Sequence, residues 1–388
     1  MTTIRRLIKR PIFLFLLLTG LLLTSCGSRV ASSNWPGLST DGEKLYLANG
    51  PTVTAYNAET QTLAWQYPGA DEAKPNLLFY AAPSVMGDRV VFGDYGAAGG
   101  MLNPKVTVSV YARENIDNGS TPPELWTASD VAFDKIVAPP LQVGDVVYVG
   151  TADNLVLALD ATSGDPIWPE PFEAGHSIWG QPAYRDGVLY VTSLDRALHA
   201  LDAQSGQELW QTEFEGAIAS RPVLNDDLLY VGEFGSQVHG VDINNGDIVW
   251  SAQAENWVWG APTYADGAVY YADIDGNVYA VDALSGEPRW QAKAAGAIQT
   301  APLVVDGIVF VASEGEASED VTGGALTAFD TSDGSQVWRV LTTTPLFTAP
   351  VSVGDAVVVA LQNDTSLLNA YDLQTGAPLW TISPPAEG

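Results

Sequence analysis

The chain has 388 residues, with 46 Asp and Glu against 17 Lys and Arg, a formal net charge of −29 and a single cysteine. A surface this acidic repels phosphate backbones and anionic headgroups, which argues against nucleic-acid binding and against adsorption to an anionic bilayer by charge. One cysteine cannot form an intrachain disulfide or a cysteine-based metal cluster.

The first element is an export signal. Arg5, Arg6, Lys9 and Arg10 precede an apolar run over residues 12–23, and Leu23-Thr24-Ser25-Cys26 follows. A charged start, an apolar middle and a small-residue cut site make up a signal peptide, and the run is shorter than the roughly 20 apolar residues of a membrane-spanning helix. Leu23 to Cys26 resembles the lipobox of bacterial lipoproteins, which implies that Cys26 is lipidated and becomes the new N-terminus. The expected organisation is a signal peptide at 1–25, a lipidated tether at 26–33 and a folded body at 34–388. The body meets the membrane through its lipid only, and two or more acyl chains hold it stably.

The folded body repeats itself. Leu159-Asp160 leads to Gly164 and Trp168, Leu201-Asp202 to Gly206 and Trp210, and Val241-Asp242 to Gly246 and Trp250. The same phrase runs from Asp282 to Gly286 and Trp290, from Asp330 to Gly334 and Trp338, and from Asp372 to Gly376 and Trp380. Two degenerate copies come earlier: Tyr56-Asn57 with Trp65, where Gln61 replaces the glycine, and Tyr111-Ala112 with Trp126, stretched by an insertion. A proline stands ahead of each tryptophan, at Pro36, Pro83, Pro139, Pro182, Pro222, Pro262, Pro302 and Pro350. Two landmarks with the same count of eight identify a repeat architecture.

Between Pro182 and Pro222, residues 188–193 and 197–202 are short apolar runs joined by a tight turn at Leu194-Asp195-Arg196. Asp202 to Gly206 is a second turn, in which the carboxylate accepts backbone N–H groups and the glycine takes positive φ. Residues 208–213 read as a third strand and residues 217–223 as a fourth. Sheets of this size cannot bury both faces alone, so eight of them close radially. The predicted fold is all-β, an eight-bladed β-propeller of four-stranded antiparallel blades. In it the tryptophans Trp65, Trp126, Trp168, Trp210, Trp250, Trp290, Trp338 and Trp380 pack between blades, and the repeat aspartates and glycines shape the adjoining turns.

Tyr279-Ala280-Val281-Asp282-Ala283, with Gly286 and Trp290, resembles the repeat of the pyrroloquinoline-quinone-type propellers, and six of the eight copies match it closely. Within that superfamily, an eight-bladed propeller of this length behind a lipobox resembles the BamB lipoproteins of the outer-membrane β-barrel assembly machinery. The resemblance implies a non-catalytic, lipid-anchored binding scaffold of the cell envelope with a protein partner and no cofactor. It implies the periplasmic face of an outer membrane in a two-membrane envelope, and the cell surface in a single-membrane one. Cys26 followed by Gly27 and Ser28 is compatible with outer-membrane sorting. The family's landmarks for contacting its partner cannot be matched here residue by residue. The alternative is a surface lipoprotein of the same repeat with a different ligand or partner. A quinone-dependent dehydrogenase comes third, since shared fold alone is only an analogy for function. Those enzymes carry an adjacent-cysteine disulfide beside the quinone and its calcium, which a chain with one cysteine cannot form.

No catalytic constellation stands out. His199 and His239 each lie three residues before a repeat aspartate, where Leu157 and Tyr279 stand in other blades, and His176 is alone in a loop, so no metal site is predicted. Asp273-Ile274-Asp275-Gly276-Asn277 is like the start of a calcium loop, but it lacks the later acidic ligand and aligns with the hairpins at Asp153-Asn154 and Asp195-Arg196. It reads as a turn. On a rigid repeat scaffold, binding belongs where the repeat is broken. Phe79, Tyr80, Trp179, Trp257, Trp259 and Phe347 fall on equivalent strands ahead of the landmark prolines. They read either as packing between blades or as an aromatic rim at one end of the channel that anchors a peptide or a partner loop. Exposed edge strands offer a second mode, by strand addition. Inserts at residues 95–105 and 113–123 make the early blades diverge from the repeat, and the acidic insert at 314–320 reads as a solvated loop.

Overall fold

Each copy of the repeat folds as a meander because its apolar runs are short and are separated by tight turns rich in Gly, Asp and Asn. In the fourth blade the inner strand Ala183–Arg185 pairs antiparallel with Val188–Ser193, which pairs with Ala197–Asp202, which pairs with Glu208–Glu213. The computed structural model describes residues 35–72, 77–96, 108–315, 323–362 and 365–384, and its described residues form eight such four-stranded sheets. They occupy residues 37–67, 84–132, 141–173, 183–213, 223–253, 263–293, 303–342 and 351–382. This is the all-β, eight-bladed propeller that the repeat predicts. The signal peptide, Cys26 and the tether lie outside the described residues, as do residues 97–105 and 316–320 of the inserts. Among the described residues, no helix is long and apolar enough to cross a membrane.

Burial follows position within the blade. The second strand of the fifth blade, Leu228–Glu233, is buried at every residue because neighbouring blades cover both its faces, while the outer strand Glu208–Glu213 of the fourth blade is largely exposed. Every sheet comes from one contiguous stretch of chain. The ring therefore closes by side-chain packing: Leu38, Leu45 and Leu47 of the first blade share one core with Val358, Leu368 and Ile382 of the last. The Thr348 hydroxyl also donates to the Pro36 carbonyl across that joint.

The repeat phrase makes the joint between consecutive blades. In the sixth blade, Asp282 Oδ1 accepts the N–H groups of Leu284 and Ser285, both at 3.1 Å. Hydrogen bonding from Arg289, then from the turn, holds the Asp282 carboxyl down to about 2. Gly286 takes φ +70° and lies on the indole of Trp250 from the fifth blade, where a Cβ would come within 2.6 Å of the ring. Trp250 Nε1 donates to the Ala283 carbonyl at 3.0 Å. The tryptophan of one blade is thus received by the turn of the next. Gly164, Gly206, Gly246, Gly334 and Gly376 meet Trp126, Trp168, Trp210, Trp290 and Trp338 in the same way. Asp160, Asp202, Asp242, Asp330 and Asp372 accept backbone N–H groups of their own turns. Trp65 has a different cap: its Nε1 donates to Asn115 Oδ1 at 3.4 Å, in the loop inserted into the second blade. Trp380 is partly buried in the core that joins the last blade to the first.

Several local expectations are corrected. Residues 217–222 are not a fourth strand but part of a linker; the strand Val223–Asn225 opens the next blade, because Pro222 has no N–H to give to a ladder and ends the crossing segment. The third landmark is Pro140 rather than Pro139, since the strand Leu141–Val143 starts directly after it. In the second blade Ala112 lies opposite Trp126, as Ala200 lies opposite Trp210. Glu114 therefore occupies the repeat-aspartate position, two residues beyond Ala112, and Arg113 occupies the place of Leu201. The outer strand of the third blade shrinks to Phe172–Glu173, interrupted by Pro166, Pro169 and Pro171.

Candidate functional site

The linkers from one outer strand to the next inner strand are short extended segments, so successive side chains point to opposite sides. Phe79, Ile136, Ile178, Ile218, Val258, Ile298 and Leu346 are buried and plug the joints between blades. Ile178 fills the space over Gly150, and Val258 the space over Gly232, where a Cβ would clash at 2.4 and 2.5 Å. The next residue in each linker is only partly buried, and these include Tyr80, Trp179, Trp259 and Phe347. The aromatic positions therefore sit on linkers rather than on strands, and they divide. Phe79 is fully buried against Tyr67, Phe92 and Tyr111, so it belongs to the core and not to a rim. Trp257, just before the plug Val258, is 46% exposed.

Trp179 and Trp259 come from linkers two blades apart, yet their ring centroids are 6.4 Å apart. They meet because the linker between them carries only Ala219 at the same position. Trp259 lies 4.9 Å from Phe234, and Phe234 stacks on Trp257 at 5.4 Å with 19° between the planes. These four rings form one strip. Tyr80 instead meets Tyr95 edge-on at 4.7 Å, with Lys135 Nζ 5.1 Å from the Tyr95 centroid. Phe347 pairs with neither group among the described residues.

Two residues of this region were not singled out from the sequence. Phe234 occupies the tip of the hairpin Glu233-Phe234-Gly235-Ser236, and an aromatic residue in a tight turn was the signal for it. Arg221 is the one charged residue directly before a blade's opening proline. It is open to solvent yet walled by protein, and that enclosure lowers its pKa from the usual guanidinium value. Among the described residues it has no hydrogen-bond or ion-pair partner. Trp179 Nε1 is likewise buried without an acceptor.

The repeat-position histidines serve their own blades. His199 Nδ1 is 2.7 Å from Glu208 Oε1, and its Nε2 is 3.2 Å from Asp195 Oδ2. Asp195 Oδ2 also accepts the Gly175 N–H at 2.7 Å, tying the incoming linker to the hairpin. His239 Nδ1 is 2.8 Å from the Ser251 hydroxyl, and its Nε2 is 3.7 Å from the fully buried Glu233. Asp273 Oδ1 accepts N–H groups of Asp275 and Asn277, and its Oδ2 accepts the Tyr279 hydroxyl at 2.8 Å, so its oxygens are engaged within the hairpin. Among the described residues, no group of three or more His, Cys, Asp or Glu side chains is arranged to hold a metal ion.

A pH dependence follows from His199. Burial opposes its protonation, but hydrogen bonds to Asp195 and Glu208 outweigh burial and raise its pKa above the ordinary 6.5. A raised folded-state value stabilises the fold fully below the unfolded value, and that contribution disappears as pH climbs through the folded one. Asp195 is shifted the other way: burial raises it, but His199 and the Gly175 N–H lower it overall, so its contribution fades only in acid. The melting temperature of the wild type relative to His199→Leu should fall as pH rises from about 6 to 9. A difference that stays flat across that range would contradict the assignment.

A family model described as outer membrane protein assembly factor BamB matches residues 152–257 and 235–387, more than half of the chain. No curated protein matches it. Among solved structures, BamB from Moraxella catarrhalis is similar at a TM-score of 0.66 and 19% identity, over 87% of this chain and 93% of that one. The computationally designed Ika8 protein is similar at a TM-score of 0.66 and 16% identity, over 90% of this chain and 96% of that one. At these identities the likeness to solved structures is one of fold. The family match, with its repeat phrase and eight blades, shows that the chain belongs to the outer membrane protein assembly factor BamB family.

Proposed function

We propose that this protein is a non-catalytic, lipid-anchored binding scaffold of the cell envelope that engages a protein partner of an outer-membrane assembly apparatus. The observation that carries this reading is the strip of Trp179, Trp259, Phe234 and Trp257 on the linker side of a rigid ring, with Trp257 46% exposed. Clustered aromatic residues held by a stiff frame lose little entropy on association and commonly dominate binding energy. The lipobox-like sequence ending at Cys26 supports attachment by lipid, and the net charge of −29 supports a partner that is neither nucleic acid nor an anionic lipid surface.

The test is recovery of partners from detergent-solubilised envelopes with the lipidated protein, compared with Trp257→Ala and Trp259→Ala. A large outer-membrane barrel protein with periplasmic domains is expected in the wild-type eluate, with about tenfold or greater loss in the variants if these rings are hot spots. Enrichment of other surface proteins with that barrel absent would favour the surface-lipoprotein alternative. Oxidation of alcohols by the purified protein with added quinone would restore the dehydrogenase class.

A further inference from the structure

Two adjoining blades break the repeat at the same place. In the outer strand of the second blade, Ser129, Asp130 and Val131 stand opposite the single residue Ser109, and Asp130 takes φ +56°. The outer strands of the fourth to seventh blades carry no such bulge. In the third blade, Pro169, Glu170 and Pro171 separate Trp168 from Phe172, where the fourth blade has Gln211 alone between Trp210 and Thr212. Ala158 consequently has no residue paired with it across the outer ladder, whereas Ala200, Gly240 and Ala280 at its position face Trp210, Trp250 and Trp290.

The two irregularities border one cleft of about 440 Å³, a volume within the range of sites that hold small ligands or side chains. Val131, Leu157, Leu159, Pro169 and Pro171 give it apolar walls, and Asp130 and Asp165 each bring a carboxylate. No basic residue lines it, and among the described residues neither carboxylate has an ion-pair partner. The Ala158 carbonyl accepts the Ile167 N–H at 2.8 Å, so Ala158 turns its backbone to the outer edge. On a strand the N–H of a residue points the same way as its C=O, and Ala158 lines the cleft. Pro169 and Pro171 have no N–H with which to complete the ladder.

We propose that this cleft is a second docking site, for an extended segment of a protein partner that carries one Lys or Arg among apolar residues. It shares no residue with the aromatic strip and goes beyond the reading given to that strip. A peptide backbone supplies the carbonyl for the Ala158 N–H, as when a strand is added to an open edge. Its apolar side chains displace water from the walls, and its cation meets Asp130 and Asp165. An excess of 46 acidic over 17 basic residues draws a cationic segment in and repels an acidic one. A small cation would leave the open edge and the apolar walls uncovered, so the site fits a chain.

The experiment titrates the full-length protein in detergent with a short labelled peptide, alternating valine and threonine around a central arginine, and follows fluorescence anisotropy at low and high salt. A peptide with glutamine in place of the arginine, and acetyl-arginine amide as an unlabelled competitor, are the comparisons. The arginine peptide should bind roughly three- to thirtyfold more tightly than the glutamine one, the worth of two partly exposed ion pairs. Salt should narrow that gap. Asp130→Asn combined with Asp165→Asn should abolish the preference at an unchanged melting temperature, since both side chains are exposed and Asn tolerates the left-handed backbone at residue 130. Ser129→Trp, on the exposed bulge, should block the cleft to both peptides. Trp257→Ala should bind as the wild type does. Equal affinity for the two peptides, a preference that survives in the double Asn variant, or binding lost in Trp257→Ala would overturn the site. Acetyl-arginine amide that competes as well as the unlabelled peptide would overturn the extended occupant in favour of a small cation. No binding of either peptide at millimolar concentration would overturn the proposal outright.

Discussion

Replacing Trp250 by alanine should lower the unfolding free energy by about 3–5 kcal/mol, the cost of emptying a large aromatic site in a well-packed core. The ring fills the joint between the fifth and sixth blades, packs 5.8 Å from Tyr230 and donates to the Ala283 carbonyl. Gly286→Ala attacks the same joint from the other side. It forces a side chain to adopt φ +70° and drives its Cβ to 2.6 Å from the indole. Left-handed strain costs about 1–2 kcal/mol and overpacking about 1–3 kcal/mol more. In the double variant the truncated Trp250 no longer opposes the new methyl group, so the two losses should sum to less than their separate values by more than about 0.5 kcal/mol. Denaturant titrations of the wild type, both singles and the double measure this coupling. Strict additivity would mean that the glycine's conformation alone, and not its contact with the neighbouring blade, sets its cost.

The second large effect concerns Arg113, which is 3% exposed at a position filled by Leu159, Leu201, Val241, Val281, Phe329 or Tyr371 in other blades. Its Nη1 donates to the carbonyls of Ala112 and Trp126 at 2.9 and 3.1 Å, and its Nη2 reaches Glu124 Oε2 at 2.8 Å. Its guanidinium also lies 4.6 Å from the centroid of Tyr67 in the first blade. Arg113→Ala should cost about 2–4 kcal/mol, from a cavity and the loss of the guanidinium's hydrogen bonds to the Ala112 and Trp126 carbonyls. Glu124 adds little to that loss, because its side chain is well exposed and stays solvated when unpaired. Arg113→Leu should recover most of the loss, since a buried ion can often be replaced by an apolar side chain of similar volume without penalty. Thermal melting of the two variants decides it: an Arg113→Leu protein as unstable as Arg113→Ala would show that the guanidinium's polar and ring contacts, and not its volume, are required.

What could be read along the chain was whatever is settled within a few residues. The aspartate that caps its own turn, the glycine at positive φ and the short apolar runs act over about five positions, so blade count and fold class followed from their repetition. The degenerate copy near Tyr111 was placed two residues out of phase because phase is set by pairing across strands, where Ala112 faces Trp126.

Tertiary structure decided everything that depends on distant partners. Six of the eight repeat tryptophans are received by a turn about one repeat later in the chain, as Trp126 is by Ala161 and Gly164. The sequence therefore marks these tryptophans as blade landmarks without revealing which turn they touch. The aromatic pairs ahead of the prolines were visible, but not their phase: one residue separates the buried Phe79 from the accessible Tyr80, and only the packing of the linker determines which side faces the core. Trp179 and Trp259 are eighty positions apart and meet because the ring closes and Ala219 leaves room between them. Arg221 stands out for what fails to approach it, a property of the folded channel that no local pattern encodes.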